Sequence, residues 1–101
     1  MKIYIQSVHF DADKKLLDYI THKVEKTKRF FENINKVNVY LRLEKDSHNE
    51  NKSVEIKLNL LSHKIFAKIH SSKFETATDL VMEKIINQVK KQKEKIQNKA
   101  A

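Results

Sequence analysis

The chain has 101 residues with no cysteine, no glycine and no proline, and it sets 21 basic against 13 acidic side chains for a formal net charge of +8. That length holds one domain with its own core; the missing thiols exclude disulfides, thiolate metal sites and cysteine catalysis, and the missing glycine excludes phosphate-cradling glycine loops and dinucleotide fingerprints. The excess positive charge directs attention to a polyanion, nucleic acid before an anionic membrane surface, against the plain alternative of charge that serves only solubility.

Lys2 to Val8 alternates Ile3 and Ile5 with Tyr4 and Gln6, which predicts a strand. Met1 to Phe10 is too polar for a secretory signal and no long apolar run follows, so a soluble cytoplasmic protein is expected. Asp13 is the expected N-cap of a helix reaching about Phe31. Its inward stripe is Leu16, Leu17, Ile20, Val24, Thr27 and Phe31. Lys15, His22, Lys26 and Arg29 project roughly opposite, and Lys23 lies on a flank. Glu32 to Lys36 reads as a turn.

From Lys36 to Lys45 the period changes to two, with Val37, Val39, Leu41 and Leu43 facing one way and Asn38, Tyr40, Arg42 and Glu44 the other. Tyr40 reads as the one outward aromatic of the sheet. Asp46 to Lys52 is expected to be a mobile polar loop. Ser53 to Leu61 is a third strand, with Val54, Ile56, Leu58 and Leu60 against Glu55, Lys57 and Asn59, and Ile65, Ala67 and Ile69 mark a fourth after a short turn at Leu61 to Lys64. Without glycine, tight turns are expected to fall on Asn, Asp and Ser.

Ser72-Lys73-Phe74-Glu75 fits a capping box, and a long helix is expected from Phe74 to Lys99. Phe74, Ala77, Val81, Ile85, Val89 and Ile96 form its buried stripe. At about 100° per residue, Lys84, Lys91 and Lys95 fall along one flank of that stripe, with Lys90, Lys93 and Lys99 elsewhere. The order strand, helix, three strands, helix predicts an α+β fold, β-α-β-β-β-α. In it a four-stranded sheet carries both helices side by side on one face, as a single domain over residues 1–101 that frays from about residue 97.

The chemistry-bearing residues are sparse. His9, His22, His48, His63 and His70 are scattered without metal-ligand spacing, and the serines lack a nucleophile-elbow context. No metal, cofactor, small-molecule substrate or membrane partner is expected, and no catalytic residue is assigned. The lysines remain. Side-by-side helices would bring Lys23 and Lys26 to line a common groove with Lys84, Lys91 and Lys95. Lysine is a flexible point charge suited to phosphate rather than to base edges. The spacing alone leaves an ordinary solvated face equally open.

Four segments carry a resemblance to a known family: the helix with Lys23 and Lys26 closing on Phe31, Ile34-Asn35 and Val37; Leu41-Arg42-Leu43-Glu44-Lys45 with Ser47-His48; the fourth strand and its step into Phe74; and Ala77-Thr78-Asp79-Leu80-Val81-Met82-Glu83-Lys84-Ile85 followed by Gln88, Lys91 and Lys93-Glu94-Lys95. Over nearly its whole length the chain resembles the short-type ribosome hibernation promoting factors, which share their domain with the ribosome-associated translation inhibitors. The resemblance implies the same β-α-β-β-β-α fold and a non-enzymatic protein. It also implies binding to ribosomal RNA of the small subunit in the decoding channel of messenger and transfer RNA, and steric inhibition of translation under stress or in stationary phase.

By position, Lys23, Lys26, Lys84 and Lys91 match basic family positions, and Lys95 sits in the same basic end. With Arg29 these are the expected rRNA-binding residues, and His22 and Lys90 are further candidates. The chain departs from the pattern at Leu61-Ser62-His63-Lys64, where relatives often carry glycine, at Phe74-Glu75 and at Asn87. Without the dimerisation domain of long relatives, a monomer in solution is expected, one that needs a second factor to pair ribosomes. The competing readings are a general double-stranded-RNA-binding module and a small enzyme on the same scaffold.

Overall fold

A computed structural model describes residues 1–44 and 49–100, with side chains through Ile96. The elements run β1 (Lys2–Val8), α1 (Lys14–Lys26), a 3-10 turn (Lys28–Phe31), β2 (Lys36–Leu43), β3 (Lys52–Leu60), β4 (His63–Ser71) and α2 (Phe74–Ala100). The four strands form one sheet in the order β1-β2-β3-β4. Short links make β2, β3 and β4 antiparallel neighbours, as expected. β1 runs parallel to β2, with Lys2 beside Lys36, because α1 carries the chain back across the sheet between them. α2 packs over β3 and β4, and α1 lies beside it on the same face.

Period-two alternation builds the core. Val37, Val39 and Leu41 from β2, Val54, Ile56, Leu58 and Leu60 from β3, and Ile65 and Ala67 from β4 are all buried. The helices bury Leu16, Ile20 and Val24, and Ala77, Val81, Ile85 and Val89, against them. Each such Val, Leu or Ile stabilises the fold by roughly 1.5–3 kcal/mol relative to exposure. Met82 and Thr78 join this core, so the buried stripe of α2 is wider than the expected one. Thr78 is accommodated because its hydroxyl donates to Phe74 O at 2.8 Å. The Phe10 and Phe74 rings stack at 5.3 Å and pin the loop before α1 to the start of α2.

Asp13 caps α1 as expected, its carboxylate accepting from Leu16 N at 2.9 Å. Three expectations are corrected. The first helix does not run unbroken to Phe31: it ends at Lys26, where the Thr27 hydroxyl bonds back to Val24 O, and a separate 3-10 turn buries Phe31. The capping box does not form. Ala77 N bonds to Lys73 O, so Lys73 takes the cap position and Ser72 and Glu75 sit one place out of register. Leu43 is exposed, because it lies at the end of the sheet beyond the helix layer.

The turns also differ from expectation. Asn33 takes a positive φ of 71°, but so do His9 at 63° and Leu61 at 56°. Residues 46–48 of the expected mobile loop, and Lys45 at the end of the expected second strand, lie outside the described residues. So do the side chains of residues 97–100, where fraying is expected and Lys99 falls.

Candidate nucleic-acid interface on the helix layer

Two amphipathic helices on one face leave their outer sides to water, and most of the cations sit there. In α1, Lys23 lies on the side toward α2. Its ammonium is 3.2 Å from Asp79 Oδ1, and the Tyr19 hydroxyl donates to the same oxygen at 2.7 Å. That hydrogen bond, with partial burial and the negative field of Asp79 and Glu75, raises the Tyr19 pKa above 10.0. Lys26 and His22 are exposed on α1, and Lys26 makes no ion pair among the described residues.

The 3-10 turn places Phe30 between the helices. The Arg29 guanidinium and the Lys90 ammonium each lie 4.9 Å from the centre of the Phe30 ring, a cation–π arrangement that holds both near the surface. Lys93 Nζ donates to Phe30 O at 3.1 Å. Together Lys23, Phe30, Asp79, Glu83, Asn87 and Lys90 line an open groove of about 450 Å³ between the helices.

Lys84, Lys91 and Lys95 are exposed but do not reach that groove. At about 100° per residue they lie roughly 100° or more around α2 from Asp79, Ile86 and Lys90, and on the far side of Asn87, from which Lys91 is about 40° away. They share instead the side of Gln88, whose amide donates to Phe66 O of β4 at 3.0 Å. The single common groove expected from the sequence is therefore not formed. α2 has one cationic flank toward α1 and another toward β4, and the exposed crest between them carries Glu83, Asn87 and Glu94. Both flanks face the solvent side of the helix layer. The groove is also not uniformly positive, since Asp79 and Glu83 line it.

Sequence reasoning missed Phe30 and Lys93. Phe30 lay next to the stripe residue Phe31, and only the switch to 3-10 geometry turns both rings inward. The counter-charge on Lys23 needed the helix pairing, because Asp79 is 56 residues away in the chain. Among the described residues no group of three or more His, Asp or Glu could hold a metal ion, and no helix is long and apolar enough to cross a membrane.

Fold and surface together define the class: a two-layer β-α-β-β-β-α domain whose cations gather on the helix side. The chain belongs to the Sigma 54 modulation protein / S30EA ribosomal protein family, whose model matches residues 3–97. It is similar to the ribosome hibernation promoting factor of Pseudomonas putida, 28% identical over 97% of this chain and 92% of that protein. Its fold is that of a ribosomal subunit interface protein from Coxiella burnetii, with a TM-score of 0.80 and 20% identity over 92% of this chain and 98% of the other. The N-terminal domain of Thermus thermophilus Protein Y also matches, with a TM-score of 0.70 and 19% identity over 89% and 93% of the two chains.

Proposed function

We propose that this chain is a ribosome-associated hibernation factor of the cytoplasm. It binds ribosomal RNA of the small subunit in the decoding channel and silences translation by excluding messenger and transfer RNA. Its family is one of non-enzymatic ribosome-binding proteins. The observation that carries the finer reading is the solvent side of the helix layer, where Lys26, Arg29, Lys84, Lys90, Lys91 and Lys95 are all exposed. Lys23 joins them at the groove, and His22 stands beside Lys26 on α1.

Such a surface reads backbone and shape. Lysines and one arginine meet phosphate, and the two flanks of α2 present them as a saddle astride its crest rather than as one trough. A folded RNA with phosphates on both sides of a cleft matches that shape. The protein acts as a monomer that fills space, during stress or stationary phase, and its steric block requires no chemistry.

Sedimentation with ribosomes on sucrose gradients, with and without excess duplex RNA, tests the reading. Retention on the small subunit in the presence of the competitor is expected. Complete loss to the competitor would favour a general double-stranded-RNA binder. The variant Lys84→Glu/Lys91→Glu is expected to lose ribosome binding while keeping its unfolding midpoint. Full translational inhibition by that variant would rule out the α2 flank.

A further inference from the structure

We propose that the bare face of the sheet, on the side away from the helices, is a second binding surface, one for single-stranded RNA. The proposal goes beyond the reading of the helix layer and does not depend on it.

The strand register sets side chains of this face in rows. Tyr4, Asn38, Lys57 and Phe66 form one row across the four strands, and Gln6, Tyr40, Glu55 and Lys68 form the next. Tyr40 is thus not the one outward aromatic. Phe66 is 62% exposed and Tyr4 49% exposed on the same face. Both were legible in the alternation of β1 and β4, since Tyr4 falls between Ile3 and Ile5 and Phe66 between Ile65 and Ala67.

The three rings stand among cations. Lys36 lies 5.8 Å from the centre of the Tyr4 ring, and Arg42 and Lys57 each lie 5.5 Å from that of Tyr40. Arg42 is held by Glu55 at 3.0 Å and Lys68 by Glu44 at 3.0 Å. Lys2, Lys36, Lys57 and Lys64 have no ion pair among the described residues, so the face keeps a net positive charge. Asn38, Tyr40, Lys57, Asn59, Lys64 and Phe66 line a shallow depression of about 420 Å³. Its two amides supply both donors and acceptors.

One exposed ring is ordinary on a protein surface. Three rings on one sheet face, interleaved with lysines and amides, match the requirements of an unpaired polynucleotide. Its bases offer flat faces to stack, its backbone offers phosphate charge, and its base edges offer hydrogen-bonding groups. Strand spacing of about 4.8 Å and a two-residue step of about 6.6 Å put Tyr4 and Tyr40 on the order of 8 Å apart, within reach of successive splayed bases. A base-paired duplex hides the faces that Tyr4 and Phe66 would stack on. A second copy of this chain would bring two positive faces together. An acidic peptide could match the charge but offers the rings no base to stack on.

The test is fluorescence anisotropy of the full chain with a labelled oligouridylate of about ten nucleotides, a length in the range of single-strand binding sites. Tyr4→Ala/Phe66→Ala leaves the net charge unchanged and is expected to weaken binding by about fivefold or more per ring lost. Phe66→Leu keeps the apolar bulk and is expected to show the loss for its single ring, which separates stacking from any damage to folding. Ribosome sedimentation of both variants is expected to persist. No binding of the oligonucleotide by the parent chain would overturn the proposal. So would unchanged binding by both variants, or displacement of the RNA by polyglutamate as effectively as by unlabelled RNA.

Discussion

Leu61 occupies the first position of the two-residue link between Leu60 and His63, with a φ of 56° and its side chain 63% exposed. The left-handed region costs a branched residue roughly 1–2 kcal/mol, and glycine, which normally fills such a position, is absent from the chain. Leu61→Gly gives back part of that relief through greater freedom when unfolded, so a net gain of about 0.5–1 kcal/mol in urea unfolding is expected. A lower midpoint would mean that the Leu61 side chain contributes packing. A second prediction at this scale concerns Glu44. The Lys68 ammonium holds its pKa below 4.5 by hydrogen bonding and charge, Ser53 and His70 add to this, and partial burial opposes it. A depressed carboxylate stabilises the fold above its unfolded pKa and loses that contribution as pH falls through the lower folded value. Glu44→Gln should therefore be less stable than the parent at neutral pH, with the two melting curves converging below about pH 4. A constant difference across the acid range would refute the linkage.

At the scale of elements, Asp79 joins the two helices by holding both Tyr19 and Lys23. It is also an internal competitor for a lysine expected to meet RNA. Asp79→Asn releases the Lys23 charge and, since exposed pairs are worth at most about 1 kcal/mol, should tighten ribosome binding by about two- to fivefold at low salt. Weaker binding would show that Asp79 instead holds Lys23 in its productive place. The elements themselves were legible because each carries an unambiguous period: two in Val54 to Leu60 and helical in Ala77 to Val89. The Asp13 cap was legible for the same local reason. Less local features were not. The break at Thr27 depends on a back-bonded hydroxyl and on where two adjacent phenylalanines must point. α2 begins at Phe74 as expected, but the move of its cap from Ser72 to Lys73 is set by how the chain leaves β4. For the candidate site, the exposed cations were readable but Phe30, Lys93 and the grouping were not, because a helical wheel shows which lysines share a flank and not which neighbour that flank meets.

At the scale of the whole molecule, the helix layer should behave as a polyelectrolyte contact. Log affinity for ribosomes is expected to fall with log salt by roughly 0.7–0.9 per phosphate neutralised, by analogy with simple polynucleotides. Lys23→Gln/Lys26→Gln and Lys84→Gln/Lys91→Gln should each reduce that slope, and combining them should reduce it further. A slope that only one pair alters would confine binding to one flank of α2. The topology carries a consequence of another kind. β1 precedes the other three strands, yet its partner β2 lies 34 residues later in the chain, from Lys2 to Lys36. The three later strands, by contrast, close through short links. Closing the longer loop costs more entropy before any contact repays it. The meander with α2 is therefore expected to assemble as a nucleus while the amino-terminal strand waits, docks last and is the first part to come away. Pulse-labelled amide exchange should accordingly find late protection at Tyr4 and Gln6, whose amides face β2, and early protection at Ile56 and Ile65.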